Sequence, residues 1–132
     1  MNIAADTNVL VRAILADDPM QARVARRLLQ DATLIAVPLR CLCALVWILR
    51  RGAKLATADV ATAIRALLNA GHVSLNRPAV EAGLRLLDAG GDFADGVTAH
   101  EGRWLGGETF VSFDRKAVAL LSQHGEATRL LS

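Results

Sequence analysis

The chain has 132 residues, of which 53% are hydrophobic, 21% charged and 4% aromatic, with two cysteines and a formal charge of +2. A chain of this length buries about two thirds of the surface its unfolded form exposes, so a single domain without disulfide or structural metal is expected, and the apolar content excludes intrinsic disorder. The longest strongly apolar stretch, around Cys41 to Leu49, is cut by Arg40, Arg50 and Arg51 and is too short to cross a bilayer. Met1-Asn2-Ile3-Ala4-Ala5-Asp6 lacks the basic and long apolar regions of a secretory signal, so a cytoplasmic protein is expected.

Residues 2–5 are short and apolar and run into Asp6-Thr7-Asn8, after which Val9, Leu10, Ala13 and Ile14 recur at helical spacing. This predicts a buried strand feeding a helix capped by Thr7 or Asn8. Asp17-Asp18-Pro19 marks a turn and opens a helix over 20–30, with Val24, Leu28 and Leu29 as its inward face. Residues 33–37 read as a second strand. Pro38 then begins an almost wholly apolar helix to about Leu49, closed by Arg50, Arg51 and Gly52; such a helix is expected to be central, with Trp47 in the core. Residues 57–68 form an amphipathic helix that stops at Asn69-Ala70-Gly71, residues 72–75 a short strand, and residues 78–87 a helix ending in Ala89-Gly90-Gly91. The segment 93–104 reads as helical despite Gly96 and Gly102, with Asp92 or Asp95 near its start. A strand over 109–112, a helix over 117–123 and an edge strand over 128–131 complete the chain. This alternation predicts one α/β domain over residues 1–132, with a mainly parallel sheet and helices on both faces.

The net charge hides an asymmetry. Residues 19–80 carry nine Lys or Arg against Asp31 and Asp59, whereas the first 18 residues are at −2 and residues 81–132 at −3. Acidic ends around a basic middle suit a polyanion gripped by basic rims over an acidic, cation-binding centre; scattered solvated helix faces give the same totals. Cys41 and Cys43 match no zinc spacing and are expected to be small core residues.

In parallel sheets ligands bind beyond the carboxyl ends of the strands. Asp6 follows the first strand, Asp114 follows the strand at 109–112, and Asp92 and Asp95 lie in the glycine-led turn Gly90-Gly91-Asp92-Phe93-Ala94-Asp95. Four carboxylates from three segments could converge, and clustered like charges need a compensating cation. With no Cys and His cluster beside them, Mg²⁺ or Mn²⁺ fits better than zinc. The plainer alternative is that each acid merely caps a helix.

These residues carry a resemblance. Ala5-Asp6-Thr7-Asn8-Val9-Leu10, the turn Asp92-Phe93-Ala94-Asp95-Gly96 and the segment Phe110-Val111-Ser112-Phe113-Asp114-Arg115-Lys116 together resemble PIN-domain ribonucleases, in particular VapC-type toxins of toxin-antitoxin pairs, over essentially the whole chain. The resemblance implies a three-layer α/β/α sandwich, Mg²⁺- or Mn²⁺-dependent hydrolysis of RNA, a homodimer, and inhibition by a VapB-type antitoxin through which alone DNA would be met. The family places an acid, usually Glu, where Ala44 stands in Pro38-Leu39-Arg40-Cys41-Leu42-Cys43-Ala44-Leu45-Val46-Trp47. Ala44 therefore predicts weakened cleavage, from a disarming substitution rather than natural drift, unless it is an ordinary core alanine.

On this basis Asp6, Asp95 and Asp114 are expected to contact metal, with Asp92 as a further catalytic member and Asn8 and Ser112 orienting carboxylates or a phosphate oxygen. Arg50, Arg51, Lys54, Arg115 and Lys116 are the expected grip on backbone phosphates. With no Tyr and few aromatic residues to stack bases, a structured RNA such as a tRNA stem-loop is the expected substrate, and Trp104 is the one aromatic placed to reach a base or partner. His72, His100 and His124 are expected to make surface or polar contacts rather than act as bases. Leu67, Leu68, Leu84, Leu86 and Leu87 are read as surplus apolar surface for another subunit or the antitoxin. Two rival readings remain: a catalytically weakened RNA-binding or regulatory domain, and a phosphatase or receiver domain, against which Asn8 stands where the phosphatase motif needs a second Asp.

Overall fold

Parallel strands cannot be joined by a tight turn, and every connection between paired strands in this chain is helical. The computed structural model describes residues 1–132, which fall into two compact units, Met1–Asn76 and Arg77–Ser132. In the first, β1 (Asn2–Ala4) leads through α1 (Thr7–Leu15) and α2 (Pro19–Asp31) to β2 (Leu34–Ala36). α3 (Leu39–Trp47) continues into a π-helical turn, Ile48–Gly52, and α4 (Thr57–Asn69) leads to β3 (Val73–Ser74). The strands form a parallel sheet in the order β1-β2-β3, with Ile3 opposite Ile35 and Ile35 opposite Val73. In the second unit α5 (Arg77–Asp88), α6 (Phe93–Trp104) and α7 (Arg115–Gln123) accompany a parallel pair, β4 (Phe110–Ser112) and β5 (Thr128–Leu130), with Val111 opposite Arg129. The chain is α/β with seven α-helices and short, wholly parallel strands.

Buried side chains are all apolar. Leu10, Ile35, Leu42, Leu45, Leu49, Val60 and Ile64 fill the first unit, while Leu86, Ala99 and Leu121 pack with Phe110 and Leu120 in the second. No helix is long and apolar enough to cross a membrane.

Several expectations are corrected. The cap of α1 is Asp6 rather than Thr7 or Asn8, because its carboxylate accepts from the Thr7 backbone N–H at 2.8 Å. α2 turns Ala22 and Ala25 inward and exposes Met20, Val24 and Leu28: the small residues let it lie close to α1, which displaces the larger ones to the outer face. α3 is one-sided. Leu42, Leu45, Val46 and Leu49 share its inward face at helical spacing, and Trp47, on the other side, is 61% exposed rather than buried. Cys41 and Cys43 are half-buried. Leu68, Leu84, Leu86 and Leu87 belong to the core and leave no spare surface, with Leu67 half-buried.

Candidate functional site

The second unit gathers its acids through two helix starts and one glycine turn. The turn after α5 contains Gly90, whose φ of +91° is left-handed backbone that side chains disfavour. Its N–H bonds the Leu87 carbonyl, and the Gly91 N–H bonds the Leu86 carbonyl at 2.8 Å. The reversal delivers Asp92 to the start of α6, where its Oδ1 accepts from the Ala94 N–H at 2.8 Å. A β-carbon at Gly96 would lie 2.5 Å from the Ala82 carbonyl oxygen and 2.9 Å from the Gly83 Cα, while one at Gly83 would lie 2.7 Å from the Phe93 ring. Gly96 is therefore the point where α6 presses on α5, and this fixes the first turn that carries Asp95.

Asp114 caps α7 in the same way. Its Oδ1 accepts from the Lys116 and Ala117 N–H groups at 3.0 and 3.1 Å, and its own N–H donates to Ser112 Oγ at 2.9 Å. Ser112 thus shapes the turn that presents Asp114. Asp95, in the first turn of α6 and half-buried, has its carboxyl pushed above the usual carboxylate range, first by burial and then by the negative charges of Asp92 and Asp114. A helix N-terminus favours the ionised form, yet here burial and like charge outweigh it. Asp95 is thus close enough to both Asp92 and Asp114 to feel their charges.

The three do not close round a single point as a complete ligand set of three or more side chains. Their chemistry nevertheless suits a hard cation. All the donors are carboxylate oxygens, their repulsion is relieved by positive charge, and Mg²⁺ is commonly held by one or two carboxylates together with water and phosphate oxygens.

The remaining expected residues lie as follows. Asp6 caps α1 in the first unit, with exposed Asn8 in the first turn beside it, and Ala44 is half-buried on α3. Arg50 is tied down, its guanidinium donating to the Leu55 carbonyl at 2.7 Å, whereas Arg51 and Lys54 are exposed. Arg115 and Lys116 are exposed in the first turn of α7, where cations oppose the helix dipole, so they do not serve the helix. His72 and His124 contact the Leu29 and Leu120 carbonyls, and His100 accepts from Trp104, in line with polar contacts.

Two features were missed in sequence. Arg23, Arg26 and Arg27 line an open cleft of about 640 Å³ along α2, a grouping legible in their i, i+3, i+4 spacing. Phe113, 71% exposed, immediately precedes Asp114, and strand-end position was the available signal. No family model matches this chain, and no curated protein matches it.

Proposed function

We propose that this protein is a metal-dependent endoribonuclease of the PIN type, acting as the toxin of a toxin-antitoxin pair on a structured RNA such as a tRNA stem-loop. The observation that carries the reading is the electrostatic coupling of Asp95 to Asp92 and Asp114 at the starts of two helices. Asp6 enters from the sequence resemblance, as does the three-layer α/β/α sandwich as the finer fold. Asp95 and Asp114 would hold Mg²⁺ or Mn²⁺ together with water and phosphate oxygens, and the bound ion would activate water and stabilise the charge that builds on the phosphate. The chain's own groups do the rest. Asp92 and the Ser112 hydroxyl hold the two helix starts in place, while Arg115 and Lys116 hold phosphate oxygens beside Asp114. Exposed Met20, Val24 and Leu28 form an apolar stripe that supports the partner-binding side of the reading, a VapB-type antitoxin or a second copy.

The test is incubation with total RNA and Mg²⁺ followed by mapping of new 5′ ends, for the chain itself, Ala44→Glu and Asp95→Asn. Ala44→Glu is expected to cleave faster, and Asp95→Asn to lose cleavage by 10²-fold or more, roughly the scale of losing a group that stabilises transition-state charge. A folded Ala44→Glu protein that cuts no RNA overturns the nuclease. Should it bind RNA without cutting, the weakened RNA-binding domain that Ala44 also suits becomes the better account.

A further inference from the structure

α6 ends in an exposed aromatic that the acid group leaves unused. Trp104 is 77% exposed and is held in place by its indole N–H, which donates to His100 Nε2 at 3.2 Å one turn earlier. That bond makes Nε2 the acceptor and leaves the imidazole proton on Nδ1 as a free-standing donor beside the indole. Arg103, between them in sequence, is braced by an ion pair with Glu126 at 3.1 Å. The three side chains line an open pocket of about 240 Å³. Gly106, at a φ of +103°, and the Gly107 N–H bonded to the Gly102 carbonyl turn the chain back immediately beyond it.

We propose that this pocket binds one unpaired nucleobase of a single-stranded RNA segment. The volume of about 240 Å³ is below the roughly 300 Å³ from which pockets for drug-sized molecules start, and it matches a single ring system. Its chemistry fits a base: an indole face and a guanidinium plane for stacking, with an N–H donor at the edge for a ring nitrogen or carbonyl. Stacking on aromatic faces is how unpaired bases are held without strict sequence choice. Trp104 lies nine residues beyond Asp95, about 13 Å along the axis and on the opposite side of the helix, so the base it takes is remote from the scissile phosphate. The identity of the ligand as RNA rests on the ribonuclease reading, whereas the set of side chains that line the pocket does not.

Trp47 and Trp104 are the only tryptophans, so a Trp47→Phe protein reports on this pocket alone. It is titrated with eight-nucleotide single-stranded RNA in EDTA, which suppresses metal-dependent cutting, and with the same oligomer made abasic. Base-containing RNA is expected to quench Trp104 emission to saturation and the abasic strand to leave it unchanged. Trp104→Ala should raise the Kd measured by anisotropy by about 5- to 150-fold, and Trp104→Phe should recover much of the loss. Binding with Trp104 emission unmoved and an unchanged Kd in Trp104→Ala overturns the proposal, as does no binding, or a Trp104→Ala effect confined to self-association. Cleavage mapped separately with Mg²⁺ judges the nuclease, so the base site and the reaction can each fail alone.

Discussion

Among the acids of the second unit, Asp92 and Asp114 spend an oxygen on backbone N–H groups, as helix caps do, while Asp95 is half-buried and feels both their charges. The two kinds of residue respond oppositely to substitution. Because the folded state raises the Asp95 pKa, the folded chain takes up a proton at a higher pH than the unfolded chain. The stabilising contribution is therefore complete below the unfolded value of 3.8 and is lost as pH rises through the raised folded value. At neutral pH the ionised Asp95 is a cost, so Asp95→Asn should raise stability there by about 0.2–1 kcal/mol, the scale of a partly solvated charge interaction, and flatten the acid side of the stability curve. Asp114→Ala, by contrast, should lower stability by about 1 kcal/mol through loss of a cap, whereas Asp114→Asn should lose little. Urea unfolding at pH 4, 5.5 and 7 checks all three. An Asp95→Asn protein less stable than its parent at pH 7 would mean that burial and like charge are not what governs this position.

Two glycines within α6 make the case for reading packing rather than propensity. In a helix interior glycine costs roughly 0.5–1 kcal/mol relative to alanine, so propensity alone favours replacing both. Gly102 has nothing within 4 Å of where a β-carbon would stand, and Gly102→Ala should gain that amount. At Gly96 the same carbon meets the Ala82 and Gly83 backbone of α5, which cannot rotate away, and overpacking of this kind costs about 1–3 kcal/mol. Gly96→Ala should therefore destabilise despite its better propensity, and thermal melts of the pair should move in opposite directions. The order and type of the elements were legible from turn residues and apolar spacing, down to the bounds of α6. What stayed hidden was which apolar face turns inward. Val24 and Leu28 share an apolar face by helical spacing, but contact between helices is set by whatever lets backbones approach, and on α2 Ala22 and Ala25 do that. Trp47 was misjudged for a related reason: a helix of nearly all apolar residues still has one inward side, and hydrophobicity does not say which.

Across the whole molecule the charges divide with the two units: nine Lys or Arg against five acids in Met1–Asn76, and six against eight in Arg77–Ser132. Of the four acids that the sequence groups, Asp92, Asp95 and Asp114 are related in the second unit, legible because a strand end and a glycine turn mark where side chains collect, while Asp6 stands in the first unit. The basic cleft on α2 was not singled out, since cations on a helix look alike until one knows which of them are tied down. Arg12 is spent on Asp17 at 3.1 Å and Arg50 on the Leu55 carbonyl, while Arg27 has only a loose contact with Asp31 at 3.9 Å and exposed Arg23 lines the same cleft. If the substrate is RNA, each phosphate contact releases counterions, and log K falls with log salt by about 0.7 per contact on a single strand. Arg23→Ala/Arg27→Ala should then weaken RNA binding evenly across sequences and reduce that slope by about 1.4. Arg26 is left in place because its Nε donates to the Ala13 carbonyl at 2.8 Å, and removing it would loosen α1 against α2. Arg12→Ala is the matched control, a cation of the same unit already neutralised, and should leave the slope where it is. Anisotropy titrations over a series of salt concentrations separate the cases: an unchanged slope in the double variant would assign the cleft no part in holding RNA, whatever the acids of the second unit do.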